Sequence, residues 1–466
     1  MASNMAPKQE QTFTLRLLVD REKNRVVVAE ASGDFIDTLF SFLTLPLGTI
    51  IRLLSNNQQH DQPAELGCIS NLYQSVENSS VEVFWNHICK EMLLRPQNNC
   101  EPLCRKLKLN VDDTESLRYF MCSNCKKGSN WLLSTFTGAS CCSCGKSMDK
   151  EMKLLGDSED ETHTDGVFVK GEAMYFILDD LRVLQSSPNN FVKELTQLGY
   201  RNFHKLIDIS PCVGLKEMLE LMKRALTSNS PLSDVFLASE ESKPLYTFSP
   251  KVGGKPTQIK RIKIFARKSL KKIVYAEAEE DFVDFLFSFL TTPIGSTMKL
   301  LDGNASLGCI NNLYKSVKNF SSLWFMGNSN DLLLDPQVAP RFGLRTGLQL
   351  FSEQQDPIYY YGSNDAISRN PSLVKDACYM KLFEPRFSDG FKLGFVKRPS
   401  LFVVWDDLHV TPMANASSIS LLQNINAPLD DLEEHVISIG KAEAINLLGA
   451  SLTSKAALTE GLFSTS

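Results

Sequence analysis

Residues 34–48 read DFIDTLFSFLTLPLG, and residues 281–295 read DFVDFLFSFLTTPIG. The two copies belong to a longer match, in which residues 15–54 align without a gap onto residues 262–301 with 17 of 40 positions identical. Phe and Leu recur three and four residues apart in each copy, and this spacing is typical of an amphipathic helix with one buried face. The sequence therefore predicts an internal duplication built around a buried helix.

Three further blocks recur in the same order on either side of the chain. They are LGCI at 66–69 and 307–310 with NLY at 71–73 and 312–314, LLRPQ at 93–97 with LLDPQ at 333–337, and DDL at 179–181 and 406–408. Collinear blocks predict two homologous units, 13–237 and 259–466, which could pack as an intramolecular pseudo-dimer. Residues 238–258 contain three prolines and a Gly-Gly pair, and this composition predicts a linker. The polar residues 1–12 are predicted to be disordered.

Each unit opens with the same local pattern. Apolar and polar residues alternate over 13–20, a polar turn follows at 21–24, and a Val-rich strand follows at 25–30, so we expect a β-hairpin. Asp34 and Asp37 then mark a helix start, where carboxylates satisfy free N–H groups, and Pro46 ends or kinks the helix. Strands and helices without a regular βαβ alternation favour an α+β fold of two tandem domains, each with β-hairpins and amphipathic helices.

Composition excludes several classes of protein. The chain has 466 residues, of which 43% are hydrophobic and 22% charged, so it is neither fully disordered nor collagen-like. A net charge of -5 argues against a cationic nucleic-acid or membrane binder. The most apolar stretches, 35–54 and 282–301, each contain Asp, Pro, Gly and a basic residue, so we expect core helices and no membrane span. No secretory signal is recognisable at the start, and we expect a cytoplasmic or nuclear protein.

Four cysteines form the clearest chemical motif. Cys122 and Cys125, then fifteen residues, then Cys141 and Cys144 give the spacing of a four-cysteine zinc site inside a zinc-ribbon-like segment, 119–148. Such a set saturates a tetrahedral ion, so the metal would be structural. Four unrelated thiols and a redox Cys-x-x-Cys pair remain alternatives. Cys142 could also replace Cys141 as a ligand.

The second unit lacks this motif, since its corresponding region contains only Cys378. Nine Lys or Arg and six Asp or Glu lie between residues 100 and 153, and four thiolates with one Zn²⁺ reduce the local charge to about +1. That balance is a poor match for phosphates, so nucleic acid is not the expected partner.

Acidic pairs are the best lead to an enzyme. Asp179-Asp180 and Asp406-Asp407 could bind a divalent cation or share a proton. Each pair follows an apolar run, however, and a strand entering a turn explains it better, because Asp is favoured in turns. The repeated Cys68 and Cys309 lie among apolar residues and are predicted to fill packing positions. Three functions stay open: a non-catalytic binding or scaffold module with a protein partner, a metal-dependent enzyme using these aspartates, and a zinc-ribbon protein associated with nucleic acid.

These features resemble a known family. The Phe-Ser-Phe-Leu-Thr-x-Pro-x-Gly element, the Arg-Val-Val-Val-Ala-Glu strand and the closing residues 406–413, DDLHVTPM, are similar to the plant proteins grouped as domain of unknown function 674. The resemblance covers nearly the whole chain. It implies a flowering-plant source and a tandem arrangement, and it implies no activity and no catalytic residues. The first unit departs from the pattern, since RVLQ follows its Asp-Asp-Leu and the Thr-Pro is missing.

Overall fold

The computed structural model describes most of the chain. The described residues are 11–56, 66–125, 131–141, 144–156, 165–201, 204–237, 246–251, 260–303, 305–344, 348–386, 394–413 and 428–463. Most of the predicted linker 238–258 and nearly all of the predicted disordered segment 1–12 lie outside them, as do Cys142 and Gly128. Among the described residues, no helix combines the length and the apolar character needed to cross a bilayer.

Both helices and strands run through the whole chain, as the predicted α+β class requires. The strands are β1 (Phe13–Thr14), β2 (Arg16–Asp20), β3 (Arg25–Ser32), β4 (Tyr119–Met121), β5 (Trp131–Leu133), β6 (Lys150–Leu155), β7 (Met174–Leu178), β8 (Val183–Gln185), β9 (Leu206–Ile209), β10 (Cys212–Val213), β11 (Thr247–Phe248), β12 (Lys260–Arg267), β13 (Lys272–Glu279), β14 (Ala305–Ser306), β15 (Tyr359–Tyr361), β16 (Ala366–Ser368), β17 (Cys378–Leu382), β18 (Leu401–Trp405), β19 (Val410–Pro412) and β20 (Leu432–Ile439).

The helices are mostly short. They are α1 (Gly33–Ser41), α2 (Leu47–Asn56), α3 (Ile69–Asn78), α4 (His87–Leu94), α5 (Glu101–Cys104), α6 (Pro188–Gln197), α7 (Leu215–Thr227), α8 (Pro231–Phe236), α9 (Glu280–Phe287), α10 (Ile294–Leu301), α11 (Ile310–Asn319), α12 (Ser329–Leu334) and α13 (Lys441–Thr453). Single 3₁₀ turns lie at Phe42–Thr44, Val81–Val83, Ser288–Thr291, Ser322–Trp324, Pro371–Leu373 and Leu429–Asp431, and a π turn lies at Thr459–Phe463.

Two five-stranded sheets have the same plan. One has the order β8-β7-β3-β2-β9, and the other has the order β19-β18-β13-β12-β20. All neighbours in both sheets are antiparallel. The predicted hairpins are confirmed, since β2 pairs with β3 and β12 pairs with β13, each across a bulge. One sheet is built from residues 16–209 and the other from residues 260–439.

The predicted helix after each hairpin is confirmed, but one of its residues has a different role. Asp34 lies in the first turn of α1, where a carboxylate favours the helix dipole. Asp37 does not serve its own helix: its oxygens accept the backbone N–H groups of residues 167, 168 and 169 at 2.6–2.8 Å. The expectation that Asp37 satisfies N–H groups at its own helix start was therefore wrong. Pro46 separates α1 and its 3₁₀ turn from α2, as predicted.

Six strands form a small barrel. Its strands follow the order β4-β6-β16-β15-β17-β5, and two backbone hydrogen bonds of 2.8 and 2.9 Å between Phe120 and Ser134 join the two ends. Three strands come from each half of the chain, and the two groups meet at two parallel seams, β6 with β16 and β5 with β17. The interior is a separate apolar cluster in which the hydroxyls of Tyr119 and Tyr359 lie 3.1 Å apart.

Helices of each half also pack onto the sheet of the other half. In α3, Asn71 donates its side-chain amide to the carbonyl of Asp407, and in α11, Asn312 donates to the carbonyl of Asp180, both at 2.9 Å. One continuous apolar cluster contains buried residues from both halves. The boundaries 13–237 and 259–466 therefore stay a prediction about homologous sequence units, because the main apolar cluster draws on both segments and only a small cluster around Tyr275 and Val403 lies within one of them.

Candidate metal centre

The four predicted cysteines come together at one end of the barrel. Cys122 directly follows β4, and Cys125 ends the next turn, while Cys141 and Cys144 lie in the segment that leads from β5 to β6. Their sulfur atoms all lie within 4.8 Å of one another. The closest pairs are Cys122 with Cys144 at 3.5 Å and Cys125 with Cys141 at 3.6 Å. The structure thus gathers residues that are up to 22 positions apart in the sequence.

A tight hairpin presents the second cysteine pair. The N–H of Cys141 donates to the carbonyl of Lys146 at 2.8 Å, and the N–H of Gly145 returns to the carbonyl of Cys141 at 2.7 Å. Gly145 has a φ of +69°, and an added Cβ would contact nothing within 4 Å, so backbone conformation is what requires glycine here. This geometry bends the chain back so that Cys144 reaches the sulfur of Cys122.

The sulfur spacing fits a shared ion better than a pair of disulfides. Tetrahedral coordination with metal–sulfur bonds of about 2.3 Å places neighbouring sulfurs about 3.8 Å apart. A disulfide would bring two of them to about 2.05 Å, and all four are free thiols. The four cysteines could therefore hold a metal ion. Among the residues that the structure describes, no other group of three or more His, Cys, Asp or Glu side chains has this arrangement.

Close contacts among the sulfurs shift the thiol pKa values of Cys122 and Cys125 in opposite directions. Burial raises the pKa of the Cys122 thiol, but hydrogen bonds from the N–H of Asn124 and from the thiol of Cys144 outweigh it and lower the pKa to about 7. Hydrogen bonds with Cys144 and Cys141 raise the pKa of Cys125 to about 12. Four thiolates at this spacing would repel one another, and a cation is needed to compensate their charge.

The aspartate pairs do not form a comparable cluster. Asp179 faces inward, where it accepts the N–H and hydroxyl of Ser233 in α8 at 2.9 and 2.8 Å and pairs with Arg25 at 2.7 Å. Asp180 accepts the N–H and guanidinium of Arg182 two residues on. Burial raises the pKa of Asp179, against the bonds from Arg25 and Ser233.

The second pair repeats this division. Asp406 accepts the N–H of Thr459 at 2.8 Å, whereas Asp407 accepts the N–H and the Nδ1 of His409. Burial raises the pKa of Asp406. Burial also acts to raise the pKa of Asp407, but the hydrogen bonds from the side chain and N–H of His409, together with its charge, outweigh it and lower that pKa. The residue after each pair has a φ above +60°. The predicted turn role, in which the carboxylate bonds its own backbone, is confirmed for Asp180 and Asp407, whereas Asp179 and Asp406 are buried and bond other segments.

The repeated cysteines outside the metal centre are packed in the core. Cys68 and Cys309 are buried, and their thiols donate to the carbonyls of Ser454 and Ser228 at 2.9 and 3.2 Å. Burial raises the pKa of Cys68 to about 12 and the pKa of Cys309 further. Both thiols are therefore poor nucleophiles, as their predicted packing role requires.

One cavity next to the metal centre was not predicted. It has a volume of about 450 Å³ and is lined by Arg52, Arg95, Arg118 and three phenylalanines, among others. The aligned repeats contained a signal for it. Arg52 aligns with Lys299, which keeps the charge but changes the cationic group, and Arg95 aligns with Asp335, which reverses the charge. The first unit differs from the second at this cavity as well as at the cysteines.

Comparison with known proteins places the chain in a family without assigning an activity. No curated protein and no solved structure matches it. A family model described as "Protein of unknown function (DUF674)" matches residues 9–442, which is nearly the whole chain. The chain therefore belongs to the DUF674 family.

Proposed function

We propose that this protein is a non-catalytic binding or scaffold module with one structural zinc ion held by Cys122, Cys125, Cys141 and Cys144. The sulfur spacing of 3.5–3.6 Å carries the proposal. Four thiolates satisfy a tetrahedral ion completely and leave no position for water or substrate, so the ion would organise the chain and perform no chemistry. Tetrahedral sulfur sites take zinc or iron, and a closed four-cysteine site with no other chemistry around it favours zinc.

The position of the cysteines supports a structural role. The ion would connect the end of β4 to the segment before β6, and both strands belong to the barrel that joins the two halves. The corresponding strand of the second half, β15, is followed by residues without cysteine, where Asp365 and the turn around it are held by hydrogen bonds. A metal in one half and a hydrogen-bonded turn in the other both stabilise one end of the same barrel.

The proposed module would bind another protein inside a reducing compartment. We expect a protein partner, because the local charge around the cysteines is too balanced to favour phosphates. The two homologous units would act as an intramolecular pseudo-dimer, so that a partner meets both halves at once. We expect this association in the cytosol or the nucleus, where thiols remain reduced.

Elemental analysis of the purified full-length chain tests the zinc assignment. We expect about one zinc per chain, lost in Cys122→Ser and Cys125→Ser. Cys378→Ser removes an exposed cysteine outside the site and should retain the ion. Cys142→Ser decides between neighbouring ligands, because it should bind zinc normally if Cys141 is the third ligand. A folded wild-type chain that contains no metal after expression in zinc-supplemented medium would overturn the proposal.

A further inference from the structure

The cavity beside the metal centre lies where α2, α4 and the barrel meet. Its volume of about 450 Å³ is in the range of small-molecule sites. Phe120 and Phe136 from the barrel segment and Phe342 from the second half supply apolar walls, and the rings of Phe136 and Phe342 lie 6.1 Å apart. Such aromatic walls favour a ligand with a flat apolar body.

Arg52 is the buried polar group of this cavity. Its side chain is only 9% exposed, and one of its terminal nitrogens pairs with Asp113. Among the described residues, nothing accepts a hydrogen bond from its buried Nε. A guanidinium has five N–H donors, and leaving one buried without an acceptor costs free energy. Since the Asp113 side chain is 45% exposed, that carboxylate can turn toward water and leave the guanidinium to another acceptor.

Two more arginines line the same cavity. Arg95 reaches Glu91 at only 4.0 Å, with both side chains well exposed, and Arg118 lies 3.7 Å from Glu151 in an equally open pair. Loose pairs of this kind contribute little to stability and rearrange easily. The cavity is also lined by the acids Glu91, Asp113 and Glu115. Two of these acids, Asp113 and Glu91, pair with Arg52 and Arg95 when no ligand is bound.

The second half has an ion pair at the aligned positions. Lys299 and Asp335 occupy the aligned positions of Arg52 and Arg95, and they pair with each other at 2.6 Å. In the first half both positions hold arginine, and two cations cannot satisfy each other. The ion pair between these two aligned positions is thus present in the second half and absent from the first, where both positions line the cavity. An anion from outside would compete with the exposed carboxylates of Asp113 and Glu91 for these two guanidinium groups.

We propose that this cavity binds a small organic anion with a flat apolar body, an aromatic carboxylate in its simplest form. The carboxylate would meet the guanidinium groups of Arg52, Arg95 and Arg118, which suit planar bidentate contacts. The ring would lie among the three phenylalanines. The inference goes beyond the proposed scaffold role, and none of the four cysteines lines the cavity, so it stands or fails independently of the zinc assignment.

Ligand-observed NMR and calorimetry on the full-length chain provide the test. The probes are benzoate, cinnamate and 2-naphthoate, each compared with its uncharged amide and with benzylammonium as a cation. We expect the carboxylates to bind and the amides and the cation to bind at least about tenfold more weakly, since one good charged contact is equivalent to about that factor. Equal affinity for acid and amide, preference for the cation, or no binding of any carboxylate would overturn the proposal.

Variants locate the site. Arg95→Gln and Arg118→Gln change exposed side chains and should fold normally, and each should weaken carboxylate binding about tenfold. Arg52→Gln should weaken it most, and its thermal unfolding is measured alongside because this side chain is buried. Lys299→Gln is the matched control at the aligned position and should bind like the wild type. Unchanged affinity in both Arg95→Gln and Arg118→Gln would place the ligand elsewhere and refute the assignment.

Discussion

Pro46 faces Pro293 across the contact between the two halves of the chain. The N–H of the residue after each proline donates to the carbonyl of the residue before the other, at 2.9 and 3.0 Å. A proline cannot donate, so its neighbours make the hydrogen bonds of this short antiparallel bridge. The most strongly repeated element of the sequence thus takes part in a direct backbone contact between the two copies.

Gly295 should be intolerant of a side chain at this contact. An added Cβ would lie 2.5 Å from the carbonyl oxygen of Leu333 and 2.8 Å from that of Leu43, both rigid backbone atoms. We expect Gly295→Ala to lower the free energy of unfolding by about 1–3 kcal/mol, as overpacking does. At Gly48 the nearest carbonyls are 3.0 Å away, and the higher helix propensity of alanine, worth about 1 kcal/mol, offsets the closer contact.

Urea unfolding of the full chain measures this difference. Gly214→Ala is the control, because that residue precedes a helix with a negative φ and its added Cβ would meet only a side-chain oxygen at 3.4 Å. It should lower the free energy of unfolding by less than about 1 kcal/mol, because alanine is a poorer N-cap residue than glycine. If Gly295→Ala is as stable as Gly214→Ala, the close contact between the halves does not exist as described.

Local patterns made the elements and the cysteine centre predictable. Alternation over 13–20 gives the first hairpin, and two Cys-x-x-Cys pairs fifteen residues apart leave few arrangements other than a common site. The turn role of Asp180 follows from the apolar run before the pair. In each case the physical cause lies within a few residues of the pattern.

Contacts between distant segments could not be predicted in the same way. The oxygens of Asp37 accept N–H groups 130 or more positions away, and no local feature marks that partner. The barrel needs three short strands from each half, and their parallel seams join residues more than 200 positions apart. Four of these six strands have only three residues, which is too short a run for periodicity to reveal such pairing.

Ser316 should be important for stability because it connects the halves. Its hydroxyl accepts the buried N–H of Val183 at 2.9 Å and donates to the carbonyl of Asn312 in its own helix. Ser75 makes the same pair of bonds with Val410 and its own helix. Alanine leaves the buried N–H without an acceptor, so we expect each substitution to cost about 1–3 kcal/mol.

Ser79 is the control for these serines, because its hydroxyl makes no hydrogen bond to the other half among the described residues. Ser79 donates only to the carbonyl of Ser75 at the end of the same helix. Ser79→Ala should lower the free energy of unfolding by less than about 1 kcal/mol in chemical denaturation. Equal effects at Ser79 and Ser316 would mean that the contacts of α3 and α11 with the sheet of the opposite half contribute little to stability.

Asp179 and Asp180 should behave differently although they are adjacent. Asp179→Ala leaves the buried N–H and hydroxyl of Ser233 without an acceptor and leaves Arg25 without its partner. We therefore expect the free energy of unfolding to fall by about 2–4 kcal/mol. Asp180→Ala removes bonds within one partly exposed turn, so a change within about 1 kcal/mol is expected. Thermal unfolding with and without Mg²⁺ or Mn²⁺ checks both points. A cation that stabilises the wild type and fails to stabilise either variant would favour the enzyme hypothesis over the structural one.

Removing the ion should loosen the barrel and leave the two five-stranded sheets intact. The cysteines lie next to β4 and in the segment between β5 and β6, so their release frees those strand ends first. Hydrogen exchange with mass spectrometry should show faster exchange in residues 119–121 and 150–155 after chelation or in Cys125→Ser. Exchange in β2 and β12 is the internal control and should not change. Uniform acceleration over the whole chain would indicate that the ion supports global folding and not this end of the barrel.

Asp37 should make stability fall as the pH rises through the weakly acidic range. Burial raises its pKa to about 6, with the three N–H bonds acting in the opposite direction, from an ordinary value of 3.8. Between these two values the folded chain holds a proton that the unfolded chain has lost, so raising the pH favours unfolding. One pKa unit is worth about 1.4 kcal/mol, and this carboxyl alone should remove about 2 kcal/mol of stability between pH 4 and pH 7.

Asp37→Asn eliminates that titration and isolates its contribution. The asparagine keeps one acceptor oxygen but turns an NH₂ toward one backbone N–H, so the variant starts from a lower stability. The quantity of interest is the difference in unfolding free energy between wild type and variant, measured by urea denaturation from pH 4 to pH 7. We expect this difference to shrink as the pH rises, because only the wild type is penalised by the buried charge. Asp302→Asn replaces an exposed carboxyl at a left-handed helix end, where asparagine fits equally well, and its curve should run parallel to the wild type. A constant difference for Asp37→Asn would mean that the three N–H groups hold the carboxylate charged throughout, and that its burial carries no cost.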